Sequence, residues 1–219
     1  MMEIVFLGHS SFRIKGKSTT VITDPYDRSM VGFKFPKQEA NLVTISHQHL
    51  DHNQKEEVVG TPFVIERCGE YEISEVSVFG VKTAHDSSDG TQRGENICYV
   101  IEIDGFRLCH LGDLGHKLTD GQVELLDGID ILFIPTGGVA TLGPKEAAEV
   151  VAQIEPKIVI PMHYKEVGIN DQVFGKFAPV LEFLKEMGVG EITPMPKLSL
   201  SLLDLPTDLK VVVLERKSG

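Results

Sequence analysis

Short runs of β-branched and aromatic residues, each bounded by Gly, Pro, Asp or other turn-forming residues, fill the first half of the chain, and this rhythm most restricts its fold. Glu3–Leu7, Ser11–Ile14, Thr20–Thr23, Asn41–Ser46, Pro62–Ile65 and Val76–Thr83 read as strands. Such side chains suit a pleated, half-buried surface, and the residues between them favour turns. Asn96–Ile103 and Phe106–His110 continue the series across an Asp104-Gly105 hairpin turn. After Gly112 the period changes. Ile129–Ile134 and Lys157–Pro161 read as buried strands, and Pro144 opens a segment whose Ala147, Val150, Val151 and Ile154 recur at helical spacing. Phe177, Val180, Leu181 and Leu184 repeat that period, with Pro179 confined to the first turn and Gly188 closing the helix. Leu198–Leu202 and Lys210–Leu214 supply late strands. Strands followed by strand–helix alternation fit two packed sheets with helices on their outer faces, a layered α/β or α+β arrangement.

The 219 residues suit a single domain spanning 1–219, since domains split only beyond roughly 250 residues. A formal net charge of -11 disfavours the attraction to phosphate backbones or anionic membranes that basic proteins use. Cys68, Cys98 and Cys109 are odd in number and form no C-x-x-C pair, so they read as reduced, mostly buried thiols. Glu3 and the short apolar run after it do not make a secretory signal, and no stretch approaches the ~20 apolar residues of a membrane span. The expected location is the cytoplasm.

Three of the eight histidines fall within Ser46-His47-Gln48-His49-Leu50-Asp51-His52, directly after an apolar strand. Residues two apart in an extended segment point the same way, so His47 and His49 can grip one ion. If the chain turns after His49, Asp51 and His52 face a second point. So many nitrogen and oxygen ligands in one run suit two adjacent metals better than a single tetrahedral ion.

The pattern His47-x-His49-x-Asp51-His52 resembles the signature of the metallo-β-lactamase-fold hydrolases. Thr83-Ala84-His85-Asp86, Leu111-Gly112-Asp113 and Pro161-Met162-His163-Tyr164 follow in that family's order, so the resemblance covers nearly the whole chain. It implies a four-layer αββα sandwich, with His47, His49 and His85 on the first metal, Asp51, His52 and His163 on the second, and Asp113 bridging them. Cys109-His110-Leu111-Gly112-Asp113 and Ile160-Pro161-Met162-His163-Tyr164 look most like the branch that contains the L-ascorbate-6-phosphate lactonase. The residues alone do not separate His85 from His110 as the third ligand of the first metal, because both end strands near acids; the family order favours His85.

Around this set, Asp24 either orients a ligand histidine or only starts the turn before Pro25, and His110 is either a donor near Asp113 or a plain strand histidine. Tyr164 reads equally as a hydrogen-bond donor to a developing oxyanion and as a packed core tyrosine. His9 and His116 sit in turns, where a surface position is the commoner case and lining the pocket as a substrate contact the alternative, and Thr141 lies before a helix whose N-terminus suits an anion or a simple cap. The expected cofactors are two divalent metal ions, zinc by default, with manganese or iron also suited. The resemblance implies a hydrolase in which the ions supply hydroxide near neutral pH to cleave a small-molecule ester, lactone or phosphodiester, with Asp51 and Asp113 as its catalytic carboxylates. Two other readings stand beside it: a metal-stabilised binding or assembly protein without turnover, and a nuclease acting on RNA or DNA. The expected partner is a small-molecule substrate, with nucleic acid and membrane disfavoured and a homo-oligomer left open.

Overall fold

The computed structural model describes residues 1–219. Its strands in chain order are β1 (Met2–Gly8), β2 (Ser11–Lys15), β3 (Thr20–Thr23), β4 (Gln38–Glu39), β5 (Leu42–Thr44), β6 (Val58–Val59), β7 (Phe63–Ile65) and β8 (Gly69–Ile73). They continue with β9 (Val76–Ala84), β10 (Glu95–Ile103), β11 (Phe106–His110), β12 (Ile131–Pro135), β13 (Ile158–Met162), β14 (Leu198–Leu200) and β15 (Lys210–Val211). The α-helices are α1 (Arg28–Val31), α2 (Asp120–Leu125), α3 (Pro144–Ile154), α4 (Asp171–Phe174) and α5 (Val180–Glu186).

Two mixed sheets form, one ordered β14-β1-β2-β3-β5-β7 and the other β15-β13-β12-β11-β10-β9-β8, with β4 and β6 as a separate two-stranded ribbon. Phe6, Phe12 and Ile14 of the first sheet meet Ile101, Phe133 and Ile160 of the second in the central core. The outer face of the second sheet is covered by Ala147, Val150 and Val151 of α3 and by Phe183 and Leu184 of α5. Val31 and Phe174, from α1 and α4, join Phe33 and Phe35 over the outer face of the first sheet. The result is the four-layer αββα sandwich.

Several local details differ from the sequence reading. Pro179 is the N-cap of α5 rather than a first-turn residue, and Phe177 lies before that helix. The strand expected over Leu198–Leu202 stops at Leu200 and passes into a 3-10 turn, Leu202–Asp204, capped by Ser201 and Asp204. The strand expected to reach Leu214 ends at Val211, after which Leu214 keeps only an isolated bridge to Met195. The polar stretch between Glu66 and Glu75 contains β8, an edge strand, where charged side chains also discourage pairing with another chain.

Strand direction places the site. β1, β3 and β5 run parallel to one another within the first sheet, and β9, β11, β12 and β13 do so within the second. The segments leaving their carboxyl ends carry His9, Asp24, His47, His85, Asp113 and His163, and the loops after parallel strands are where open α/β sheets build sites.

Candidate metal centre

The chain turns after His49: the N–H of His52 donates to the His49 carbonyl at 2.9 Å. Two ligand groups result. The donor atoms of His47, His49 and His85 lie within 4.8 Å of one another, and those of His9, Asp51, His52 and His163 do the same. Asp113 sits between the groups. Its Oδ2 is 3.2 Å from both His85 Nε2 and His163 Nε2, 3.3 Å from His52 Nε2 and 3.8 Å from His47 Nε2.

Backbone and neighbouring side chains fix which ring nitrogen faces inward. His85 Nδ1 lies 3.0 Å from the Ala140 carbonyl, to which it can donate, turning Nε2 toward Asp113. His52 Nδ1 lies 2.8 Å from Asp24 Oδ2. Asp24 in turn accepts the Ser46 N–H at 2.8 Å and the Ser46 hydroxyl at 2.6 Å, and Ser46 Oγ is 2.9 Å from His47 Nδ1. Asp24 therefore orients His52 directly and His47 through Ser46, as carboxylates behind metal-binding histidines do. Asp113 is placed by Asn96, whose Oδ1 accepts the Asp113 N–H at 2.9 Å while its Nδ2 donates to the Leu111 carbonyl at 2.9 Å. Gly112 has φ +55, and a Cβ there would come within 2.4 Å of Asn96 Oδ1 and 2.5 Å of Ser46 Cβ, so only glycine fits this step.

His110 is buried with both ring nitrogens engaged by backbone: Nε2 lies 2.8 Å from the Ser10 carbonyl, and Nδ1 accepts the Gly112 N–H at 3.2 Å. It props the Leu111–Asp113 corner, and His85 is the histidine that enters the cluster. Tyr164 is not a donor into the site; it packs in the central core 6.2 Å from Phe6, ring to ring. Thr141 neither caps α3, whose N-cap is Gly143, nor lines the cleft, and its hydroxyl lies 3.4 Å from the Leu142 carbonyl. His116 Nε2 accepts the Ala84 N–H at 3.1 Å, bracing the strand end before His85.

The residue that the sequence placed too far out is His9. It is fully buried in the left-handed region at φ 57, with Nε2 3.0 Å from Asp51 Oδ2. Its backbone is clamped on both sides, the N–H donating to Glu166 Oε1 at 2.7 Å and the carbonyl accepting the His163 N–H at 2.8 Å. Arg216 Nε holds the other oxygen of Glu166 at 3.2 Å. The only local signal was a Gly-His step at a strand end; the partners are 42 and 157 residues away.

The electrostatics suit a cation. Burial pushes His47 down to about 3, with repulsion from His52 adding to it. Burial also pushes His9 down to about 4, reinforced by His163. Both rings are therefore neutral near pH 7, and His9 Nε2 carries the hydrogen that it donates to the ionised Asp51. Burial alone would raise the Asp51 and Asp113 carboxyls, but His52 and His9 overcome it at Asp51, and His163 and His52 at Asp113, so both stay ionised. At His52 and His85 burial acts downward but is overcome by the Asp113 carboxylate, so both are pushed up, and a metal binding there would displace a proton from each. Four buried atoms here, His47 Nε2, His52 Nε2, His163 Nε2 and Asp113 Oδ1, have no hydrogen-bond partner, an expensive arrangement without a ligand to satisfy them. The residues present fit a bound metal.

Known proteins agree. A β-lactamase superfamily domain model matches residues 3–163. A UPF0173 metal-dependent hydrolase of Thermococcus onnurineus is 34% identical over 75% of this chain and 85% of the relative. The chain belongs to the metallo-β-lactamase superfamily, in its group of metal-dependent hydrolases. Another member of that group, from Pelotomaculum thermopropionicum, is 30% identical over 88% of this chain and 97% of its own. The crystal structure of a candidate zinc-dependent hydrolase of the superfamily from Thermotoga maritima is 38% identical, covers 99% of this chain and 100% of its own, and superposes with a TM-score of 0.82.

Proposed function

We propose that this superfamily member hydrolyses a small-molecule ester, lactone or phosphodiester with two divalent metal ions. His47, His49 and His85 hold one ion, Asp51, His52 and His163 hold the other, and Asp113 bridges them; zinc, manganese and iron all suit such ligands. The observation that carries this reading is the single Asp113 oxygen set among four histidine Nε2 atoms at 3.2 to 3.8 Å. When bound, such ions activate water near neutral pH and polarise a carbonyl or phosphoryl oxygen.

The chain's own residues do the positioning. Asp24 and the Ala140 carbonyl aim His52 and His85, and Asn96 keeps the bridging carboxylate in place. His9 meets the Asp51 carboxylate, and the depressed carboxyl of Asp51 supports a role in holding a cation rather than in accepting a proton. A cleft of about 460 Å³ reaches His49, Asp51, His85, Asp113 and His163, and His49 is exposed, which supports turnover over a closed structural site. That volume and the charge of -11 favour a small substrate over nucleic acid.

The test is elemental mass spectrometry of the protein purified without chelators, followed by a screen of lactones, esters and phosphodiesters. About two ions per chain and hydrolysis above the metal-free background are expected, with Asp113→Asn losing both while its circular dichroism persists. A wild-type protein that stays metal-free after reconstitution, or an Asp113→Asn variant with full activity, overturns the proposal.

A further inference from the structure

Outside the ligand set the cleft is lined mostly by apolar residues, with Gln48 and Arg93 as its polar members. On the side of His163, Phe177 stacks at 4.9 Å ring to ring and Phe174 packs on Phe177 at 5.1 Å. Leu50, Val139 and Val173 complete this apolar rim, and they are 56%, 63% and 44% exposed. Large side chains left this open around one cavity mark a surface that something apolar covers.

Val139 is the most telling of them. It is a β-branched residue held at φ 63, where such side chains are genuine outliers. Glycine would relieve the strain at this position, which precedes the residue whose carbonyl holds His85. What glycine would lack is the isopropyl group at the cleft mouth. Strain kept at a site in this way is a pointer to function.

The cleft also holds one cation. Arg93 lines both this cleft and a smaller hollow beside His47 and His49. Its acidic neighbours there, Glu66 and Glu95, are paired with Lys55 and Lys82, which leaves the guanidinium without an ion partner. Its backbone is well fixed: Asp86 Oδ2 accepts the N–H groups of Arg93 at 2.8 Å and Gln92 at 3.0 Å, and Oδ1 those of Ser88 at 2.8 Å and Gly90 at 3.1 Å. An unpaired arginine on an ordered loop, at the mouth of a site in a strongly acidic chain, is suited to recognising an anion.

We propose that the substrate is an amphipathic anion, with an apolar group seated on the Val139–Val173–Phe174 rim and a negatively charged group against Arg93. This deepens the hydrolase reading, on which it rests for the cleavage but not for the binding. The test is calorimetric titration of the metal-loaded protein with hexanesulfonate, methanesulfonate and 1-hexanol, none of which is hydrolysed; sulfonates are also weak metal ligands.

Hexanesulfonate should bind roughly ten-fold or more tightly than either fragment, a difference of about 1.4 kcal/mol. Arg93→Gln should erase its advantage over 1-hexanol. Val139→Gly and Val173→Ser should erase its advantage over methanesulfonate, with melting temperatures near that of wild type. Equal affinities for the three probes, no measurable binding of hexanesulfonate, or a charge preference that survives Arg93→Gln overturns the proposal. Because nothing is cleaved in this titration, failure of the hydrolase reading would show separately, as selective binding without turnover of any ester, lactone or phosphodiester.

Discussion

Glu166 is a carboxyl whose surroundings oppose its charge. Its side chain is 7% exposed, and burial pushes its pKa from 4.5 up to about 7 against the pull of the His9 N–H and Arg216. The folded state therefore holds a proton that the unfolded chain releases, so stability from this group is full below pH 4.5 and is lost as pH rises through 7. The rise is worth on the order of 3 kcal/mol. Glu166→Gln, which mimics the protonated form, should flatten this fall in thermal melts between pH 5 and 8; an unchanged slope would show that other groups set it. A second residue-scale expectation concerns the thiols. Burial pushes Cys98 up to about 12 and Cys109 up as well, whereas Cys68 is exposed. Iodoacetamide at pH 8 should add one label per native chain and three after denaturation, read by intact mass, and two or more native labels would contradict this burial. How legible such residues were depended on the distance to their partners. His47, His49, Asp51 and His52 share one turn and announce themselves, while His9 and Glu166 act through contacts 42 and 157 residues away that no local pattern records.

The same division holds for the elements. Strands such as β10 and β11 and the helix α3 were readable because their apolar periods are long and their ends carry Gly, Pro or Asp. α1 and α4 have four residues each, too few for any period, and are set by the side chains of Asp27 and Asn170 accepting backbone N–H groups. α2 follows a Thr119–Gln122 capping box with no buried residue to betray it. The loop between β9 and β10 has no regular structure, yet the four N–H groups gathered by Asp86 give it a defined shape. Asp86→Ala should leave the strands intact and raise amide hydrogen exchange at Ser88, Gly90, Gln92 and Arg93 by ten-fold or more, since the lost bonds are local. Exchange at these four amides matching wild type would mean that the flanking hairpin, rather than the carboxylate, orders the loop.

At the scale of the whole molecule, the two sheets meet in an apolar core everywhere except at this one edge, where the contact between them is polar. His47, His49, Asp51 and His52 leave the first sheet after β5; His85, Asp113 and His163 leave the second after β9, β11 and β13. A metal held by this set would tie the two layers together, so its binding energy would count toward stability. A ligand present at a thousand times its dissociation constant stabilises by about 4 kcal/mol, and in a chain of this size each kcal/mol raises the melting temperature by roughly 2–4 °C. Removing the metals should therefore lower the melting temperature by on the order of 10 °C, and adding zinc or manganese back should restore it. The control is Asp113→Asn, which removes the charge shared between the two groups and should melt low whether or not chelator is present. Scanning calorimetry of both proteins with and without chelator separates the possibilities. A wild-type melting point indifferent to chelator would mean that the apolar core alone joins the sheets, and that the buried histidines and carboxylates balance one another as a hydrogen-bonded network without an ion.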